Sequence, residues 1–274
     1  MSGASRNGEV RRIADLNEII RLIGRLHPHV VGSGWLTKML ERKRIESAIR
    51  SQVGELDFCL VALQGDGASL QCGVLTAVPR PEAEGKFANN GARPMLFGFL
   101  FGFASRQHFD MVMQDVVRLA QERRRETLVG PFEATINYSC GLLDAEPAFP
   151  LGMMMPNNPL VWRDYLSGFG FSIAERLFTF EIDIPNARFR RIGSRAAQEL
   201  GLAMRQLHLP FSHEEKAAIC DVFNSGWQDN WGFVEIDSEY VDALAREFRP
   251  ILWPGLCWLV YRGDKAVGVA IAAP

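Results

Sequence analysis

The chain has 274 residues, of which 47 % are hydrophobic and 23 % are charged, and its formal net charge is -2. This length favours about two domains, and the balanced charge argues against a global basic surface for nucleic acid or an anionic membrane. The five scattered cysteines include no C-x-x-C pair, which predicts reduced thiols in a cytoplasmic protein and no metal site. The most apolar short run, residues 95–104, is too short to cross a bilayer and predicts a buried strand, so we expect no transmembrane segment.

The first part of the chain alternates between helical and strand patterns. Residues 9–26 have the apolar spacing of an amphipathic helix, and residues 36–50 predict a second, basic helix. The apolar segments 57–63 and 71–78 flank a Gly-Asp-Gly turn, which predicts a β-hairpin. Residues 79–93 are rich in Pro, Gly and Asn and predict a loop.

A strand, a helix and a second strand follow. The run at 95–104 precedes a helix predicted over 107–124, and residues 128–129 have strand character. This order predicts a βαβ crossover inside a larger mixed sheet. The alternating segment 171–184 predicts a further strand.

A change in composition predicts a domain boundary. Residues 185–195 contain four arginines and read as a linker between a first unit at 1–184 and a second unit at 196–274. A helix is expected to begin at Ser212, because Ser212 and Glu215 have the spacing of a capping box.

The end of the chain predicts one more helix and a hairpin. The helix covers 238–248, and the segments 255–261 and 266–273 flank an Arg-Gly-Asp-Lys turn. Both units then have helices followed by a hairpin, which suggests a duplicated unit whose second copy is incomplete. An incomplete copy would leave an unpaired strand edge and an uncovered apolar face, so we expect either association into a homodimer or poor solubility.

Three segments form a recognisable set of motifs: 129–143 (VGPFEATINYSCGLL), 153–171 (MMMPNNPLVWRDYLSGFGF) and 223–234 (FNSGWQDNWGFV). Together they resemble a family of GNAT-like (acyl-CoA N-acyltransferase superfamily) bacterial proteins that are built from two acetyltransferase-like halves. The resemblance is strong over roughly the last half of the chain and weaker over the first half. The matching residues are Gly130, Pro131, Asn137, Cys140, Gly141, Leu142, Leu143, Met155, Pro156, Asn158, Pro159, Gly170, Phe171, Asn224, Trp227, Asn230, Trp231, Gly232 and Phe233.

The resemblance implies a fold and a reaction. The fold would be an α/β mixed sheet of the GNAT type in tandem, with an incomplete second copy. The reaction would move an acyl group, for some relatives a long-chain one as in bacterial ceramide synthesis, from acyl-CoA or acyl carrier protein to an amine. Acyl-CoA would be a co-substrate, and no bound cofactor is expected.

The resemblance also implies how the donor is bound. GNAT enzymes hold the CoA pyrophosphate on a Q/R-x-x-G-x-G/A loop at a helix N-terminus after the fourth strand, and that strand splays from its neighbour beside the thioester. Residues 103–110 occupy the corresponding place here and lack those glycines. A non-catalytic lipid-binding or partner-binding module that lacks the CoA loop is therefore the alternative function.

The candidate substrate-binding residues follow from the motifs: Asn137, Tyr138, Trp227, Asn230, Trp231 and Phe233. The aromatic side chains could wall an acyl or amine pocket, although tryptophans at this helical spacing also suit plain core packing. Asp229 is a candidate general base and Cys140 a candidate nucleophile. A solvated carboxylate and a buried structural thiol are the respective alternatives, so the sequence alone identifies no catalytic residue.

Overall fold

A computed structural model describes residues 9–26, 42–43, 45–46, 48–50, 56–65, 69–81, 84, 92–133, 136–147, 155–180, 195 and 197–272. The chain divides into two compact units between Ala174 and Glu175. The linker predicted at 185–195 falls, apart from Arg195, outside the described residues, so its position stays a prediction. Among the described helices, none combines the length and the apolar character needed to span a bilayer.

The first unit is built on a five-stranded mixed sheet with the order β1-β2-β3-β4-β5. The first four strands are antiparallel neighbours, and β5 runs parallel to β4. The predicted hairpin of β2 and β3 is confirmed, and so is the crossover from β4 to β5. The strands are β1 (Glu9–Ile13), β2 (Leu56–Gln64), β3 (Leu70–Pro79), β4 (Pro94–Phe101) and β5 (Thr127–Val129).

Three helices of the first unit are described in full: α1 (Leu16–Leu26), α2 (Arg106–Glu122) and α3 (Val161–Phe169). The described residues between 42 and 50 are also helical, as predicted. Helix α2 makes the crossover from β4 to β5 and, with α3, buries its apolar side against one face of the sheet. Phe109 is fully buried at this junction, and its ring lies 5.1 Å from that of Phe103. Burial of each such large side chain contributes about 1.5–3 kcal/mol, which fixes the helix on the sheet.

The helix predicted over 9–26 is wrong in its first five residues, which form β1. Their backbone pairs along the edge of β2, from Glu9 opposite Gln64 to Ile13 opposite Leu60. The guanidinium of Arg12 also lies 2.6 Å from the Asp115 carboxylate of α2. These partners are distant in sequence, so the helical periodicity of the segment could not reveal them.

The strand predicted over 171–184 is wrong for residues 171–180, to which the structure assigns no strand, and residues 181–184 lie outside the described part of the chain. Helix α3 ends at Gly170, whose φ of 111° turns the chain. Phe171 still packs on Phe97, with ring centroids 5.2 Å apart. Farther on, Phe178 and Phe180 are 74 % and 81 % exposed. Alternation alone does not form a strand, because the backbone needs a neighbouring strand for its hydrogen bonds, and no described strand pairs with this segment.

The second unit contains a three-stranded antiparallel sheet with the order β6-β7-β8. The predicted hairpin of β7 and β8 and both predicted helices are confirmed, whereas β6 was not predicted. The capping box is also confirmed, since the Ser212 hydroxyl accepts from the Glu215 backbone and the Glu215 carboxylate accepts from the Ser212 backbone at 2.7 Å. The elements are β6 (Leu202–Gln206), α4 (His213–Trp227), α5 (Ser238–Phe248), a 3-10 turn (Pro254–Leu256), β7 (Cys257–Arg262) and β8 (Lys265–Ile271).

Candidate functional site

A cleft opens in the first unit where the pairing of β4 and β5 ends. Their parallel register runs only from Pro94 opposite Thr127 to Leu96 opposite Val129. One further hydrogen bond, from the Phe132 backbone to the Phe97 carbonyl at 2.9 Å, continues it. Past this point β4 runs on, while the chain after β5 doubles back on itself.

The cleft is shallow and open to solvent, with about 40 Å³ of space for the centre of a water-sized group. That space accommodates the polar end of a ligand rather than a whole drug-sized molecule. The walls combine apolar side chains with a few polar groups, which is the composition of small-molecule binding sites. The lining residues are Phe99, Leu100, Pro131, Phe132, Glu133, Ser139, Gly141, Leu142, Pro156, Asn157, Asn158 and Trp162.

The β4 wall of the cleft contains a bulge. Gly73 of β3 lies opposite Phe101, but Leu75 lies opposite Gly98, so β4 contains an extra residue at this point. Phe99 has a φ of 45°, a conformation that costs an aromatic residue about 1–2 kcal/mol. Phe99 and Leu100 both line the cleft.

Gly98 permits the opposite wall to approach β4. A Cβ atom at this position would lie 1.6 Å from the carbonyl oxygen of Phe132. Only glycine therefore allows the backbone of Phe132 to lie directly on β4. This close approach fixes the position of Glu133, the next residue along the chain.

Glu133 places a carboxylate in the cleft. The residue is 6 % exposed and is the one ionisable member among the described lining residues. A short doubled-back segment holds it, because its backbone donates to the Ser139 carbonyl at 2.8 Å and the Gly141 backbone donates to the Pro131 carbonyl at 2.9 Å. A carboxylate in a poorly solvated cleft attracts a cationic ligand more strongly than one in water does. Glu133 was not among the predicted site residues, because within the motif at 129–143 it stands between Phe132 and Ala134 and forms no recognisable spacing with another polar residue.

Cys140 lies beside this carboxylate. Burial, and secondarily the charge of Glu133, raises the pKa of the Cys140 thiol to about 11. The thiol is therefore protonated at neutral pH, which argues against the predicted nucleophilic role, since only the thiolate attacks. Its proximity to Glu133 nevertheless places the predicted residue near the cleft.

Asn137 and Tyr138 lie in the turn of the same doubled-back segment. Tyr138 is buried, and Asn137 is half-buried. Their neighbours Glu133 and Ser139, rather than these two residues, line the cleft. Their substrate-binding role stays a prediction, and their position is consistent with support of the cleft wall.

The remaining predicted residues belong to the second unit and surround the end of α4. The ring of Trp227, which is 54 % exposed, stacks on Phe223 with centroids 5.7 Å apart, and Phe233 also packs on Phe223. The Asn230 backbone donates to the Trp227 carbonyl at 2.9 Å. The structure thus brings these aromatic residues together around the end of α4.

The other members of this motif differ in their exposure to solvent. Asp229 and Asn230 are exposed, whereas Trp231 is half-buried. Asn224 forms two hydrogen bonds of 2.9 Å with the backbone of Ile236, which fixes the chain that follows α4. The roles predicted for Asp229, Asn230 and Trp231 stay predictions.

The loop between β4 and α2 overlaps the segment 103–110, which lacks the glycines that the resemblance implies for a CoA loop. Ser105 caps the helix, and its hydroxyl accepts from the His108 backbone at 3.2 Å. The side chain of Arg106 pairs with Asp110 at 2.7 Å. The Ser105 hydroxyl thus satisfies one backbone N–H group at this helix N-terminus. Across the described part of the chain, no group of three or more His, Cys, Asp or Glu is placed to hold a metal ion.

Part of the chain is similar to a known bacterial protein. A protein named bacterial ceramide synthase, from Caulobacter vibrioides (strain NA1000 / CB15N), is 26 % identical over 182 residues, or 64 % of this chain and 47 % of that protein. The chain therefore spans about half the length of the relative that it matches. No protein-family model and no solved structure matches. The similarity supports the predicted link to bacterial ceramide synthases.

Proposed function

We propose that the protein transfers an acyl group to an amine in the cleft of the first unit. The observation that carries the proposal is the buried carboxylate of Glu133 in an otherwise largely apolar cleft. The similarity to a bacterial ceramide synthase supports the class of reaction. Acyl-CoA or acyl carrier protein is the proposed donor.

The arrangement of the first unit also supports a GNAT-type fold. Its fourth strand pairs with the next strand only briefly, and α2 connects the two. This agrees with the splayed fourth strand and the following helix that the resemblance implies. The second unit, with its helices and its β7-β8 hairpin, is proposed as the related second copy.

The cleft provides what such a reaction needs. An amine must lose a proton before its nitrogen attacks the thioester carbon; the C–N bond forms, the C–S bond breaks, and the thiol leaves with a proton. Glu133 binds the ammonium and accepts its proton. Leu100, Leu142 and Trp162 form apolar walls beside Glu133, against which the thioester packs.

One observation favours the alternative, a lipid-binding or partner-binding module without catalysis. Residues 103–110 lack the glycines of the CoA loop, and Ser105 caps the helix that would hold the pyrophosphate. Such a module would still bind an amine in the cleft but would form no amide.

A transfer assay separates the two functions. The purified protein is incubated with radiolabelled long-chain and short-chain acyl-CoA and a panel of primary amines, and amide formation is measured. Glu133→Gln keeps the shape of the side chain and removes its charge, so we expect a loss of kcat/KM of about 100-fold or more. Glu235→Gln, at an exposed position of the second unit, is the control and should match the wild type.

The outcomes are distinct when the variants keep the wild-type melting temperature. Transfer that is unaffected by Glu133→Gln would show that the reaction takes place elsewhere. Absence of transfer to every amine, with amine binding retained, would favour the binding module.

A further inference from the structure

Ser139 lies directly opposite Glu133 in the doubled-back segment of the cleft wall. Phe132 and Cys140 form an antiparallel bridge, and the Glu133 backbone donates to the Ser139 carbonyl at 2.8 Å. Residues opposite each other in such a pair have their side chains on the same face, with Cβ atoms about 4.5–5.5 Å apart. The side chains of Ser139 and Glu133 therefore stand side by side, and both residues line the cleft.

The Ser139 side chain is a buried hydrogen-bond donor that the fold does not use. The residue is 4 % exposed, and within the described part of the chain no residue forms a hydrogen bond with its hydroxyl. A buried hydroxyl without a partner destabilises a fold, so such groups are rare in native proteins. The O–H group of Ser139 is therefore available to a ligand in the cleft.

The other side-chain donors of the cleft already have partners or face solvent. The Trp162 indole donates to the Phe103 carbonyl at 3.1 Å. The Asn158 amide is held in place, because its oxygen accepts from the Leu143 backbone at 2.9 Å. Asn157 is exposed. Among the described lining residues, the serine hydroxyl is thus the buried side-chain donor that remains for a substrate.

We propose that the Ser139 hydroxyl stabilises the oxyanion of the acyl-transfer reaction, an inference that rests on the proposed function. Glu133 takes a proton from the ammonium, and the neutral nitrogen attacks the thioester carbon. The C–N bond forms, and an electron pair of the C=O bond moves to the oxygen, which accepts a hydrogen bond from Ser139 without transfer of the proton. When the C=O bond re-forms, the C–S bond breaks and the sulfur takes the surplus proton of the nitrogen. Glu133 then releases its proton to solvent.

The positions of the two side chains suit this division of roles. The attacking nitrogen and the oxyanion are bonded to the same carbon, so the base and the donor must be adjacent groups. A general base acts at about 2.6–3.2 Å from its nitrogen, and an oxyanion donor at about 2.7–3.1 Å from its oxygen. Neighbouring side chains of a cross-strand pair meet both requirements. Glu133 is uncharged once it holds the proton, so it does not repel the oxyanion.

The surroundings of Ser139 argue against a role as nucleophile. A serine hydroxyl attacks only when an adjacent base removes its proton. As far as the described chain extends, no histidine lines the cleft. A carboxylate, with an ordinary pKa of about 4, is a weak base toward a hydroxyl group. Hydrogen-bond donation needs no such base.

The first test compares Ser139→Ala with the wild type in the acyl-transfer assay. Loss of one oxyanion donor is expected to lower kcat about 100- to 1000-fold. The KM for the amine should stay unchanged, because the hydrogen bond forms in the transition state. The pH dependence of kcat/KM should also stay unchanged, because Glu133 still accepts the proton. The Tm should equal or exceed that of the wild type, because the lost hydroxyl has no partner.

Ser167→Ala is the matched control, because it removes the same atom from an exposed position of α3 in the same unit. This variant should keep the wild-type kcat. A kcat of Ser139→Ala equal to that of the wild type would overturn the proposal. So would a decrease that is accompanied by a lower Tm and a shifted pH profile, since the hydroxyl would then only support the wall. An acyl group found on Ser139 by mass spectrometry would make it the nucleophile instead.

A stable analogue tests the donor without catalysis. N-butyl methylphosphonamidate has an anionic oxygen on a tetrahedral phosphorus that is bonded to nitrogen, as in the intermediate. The protein for calorimetric titration is Glu133→Gln, whose neutral amide stands for the protonated carboxyl group. Addition of Ser139→Ala should weaken binding about 10- to 100-fold, as expected for a hydrogen bond to a charged group.

The titration separates failure of the donor from failure of the proposed function. Binding that depends on Ser139, in a protein that forms no amide with any donor, supports the oxyanion site and contradicts the proposed transfer. Equal binding by the single and the double variant, or no binding by either, overturns the role of Ser139. Circular dichroism verifies that each variant is folded.

Discussion

The close approach of Phe132 to Gly98 leads to a quantitative prediction for Gly98→Ala. The new Cβ would lie 1.6 Å from the Phe132 carbonyl oxygen and 2.5 Å from its carbonyl carbon, although Cβ atoms essentially never approach other atoms closer than 3.0 Å. Both atoms belong to the backbone, so the strand segment must move by more than 1 Å. The movement breaks the hydrogen bond from the Phe132 backbone to the Phe97 carbonyl and displaces Glu133.

The cost of this movement can be approximated from its parts. Loss of one backbone hydrogen bond costs about 0.5–1.5 kcal/mol, and overpacking of a well-packed site costs about 1–3 kcal/mol. We therefore expect Gly98→Ala to lower the free energy of unfolding of the first unit by about 2–4 kcal/mol. For a unit of this size each kcal/mol lowers the Tm by about 2–4 °C, which gives a decrease of about 5–15 °C.

Thermal unfolding followed by circular dichroism measures the decrease, and the acyl-transfer assay should show loss of activity in the same variant. Gly226→Ala is the control, because Gly226 lies in α4 and a Cβ there would have no atom within 4 Å. Alanine is the better helix former by about 1 kcal/mol, so this variant should be as stable as the wild type or more stable. A Tm of Gly98→Ala equal to that of the wild type would refute the packing of Phe132 on β4 and with it the geometry of the cleft.

Two further predictions concern ionisable groups of the first unit. Cys140→Ala should retain acyl transfer, because the raised pKa keeps the Cys140 thiol protonated at neutral pH, and loss of activity in this variant would restore the nucleophile hypothesis. For the same reason, iodoacetamide should alkylate Cys140 of the wild-type protein slowly at neutral pH. For Asp115, burial raises the pKa, but hydrogen bonds from Arg12 and Arg118 outweigh burial and hold the pKa below its usual value. The ionised carboxylate therefore stabilises the fold above about pH 4, and its contribution to the free energy of unfolding is lost as the pH falls further. Asp115→Asn should therefore weaken the pH dependence of the free energy of unfolding, measured in urea between about pH 5 and about pH 3, which is about one unit on either side of the ordinary carboxyl pKa. An unchanged pH dependence would contradict the ion pair between Asp115 and Arg12.

The sequence predicted those parts of the fold that depend on local patterns. The hairpin of β2 and β3 and the helix α2 follow from periodicity within each segment, because one face of each element is buried. The capping box at Ser212 and Glu215 involves residues only three positions apart. Such features can be recognised without knowledge of distant partners.

The errors have the opposite character. Residues 9–13 form a strand because β2, which is distant in sequence, provides the hydrogen-bonding edge. Residues 171–180 alternate but pair with no described strand. Strand β6 is short and only its pairing with β7 defines it. In each case the backbone partner decides the structure, and a single sequence does not reveal it.

The sequence motif leads to the candidate cleft, but it does not identify the side chains that line the cleft. The motif at 129–143 does form a cleft wall, yet the residues selected from it were Asn137, Tyr138 and Cys140 rather than Glu133. Glu133 is a lone carboxylate without a spacing pattern. Only its burial, with 6 % of the residue exposed, distinguishes it from an acidic residue on the surface. The motif at 223–234 ends α4, with Asn224 fixing the chain at Ile236.

The strained backbone of Phe99 indicates that the ring of this residue has a role in the wall of the cleft. A φ of 45° costs an aromatic residue about 1–2 kcal/mol, and glycine at this position would avoid that cost. Glycine would also remove the ring, which is 2 % exposed and lines the cleft. The strain lies next to Gly98, on which the backbone of Phe132 packs, and strained residues cluster at active sites and ligand sites. The part of β4 that holds Phe132 and Glu133 in place is therefore also the part whose backbone is strained, as expected where the shape of the cleft rather than the stability of the sheet determines the residue.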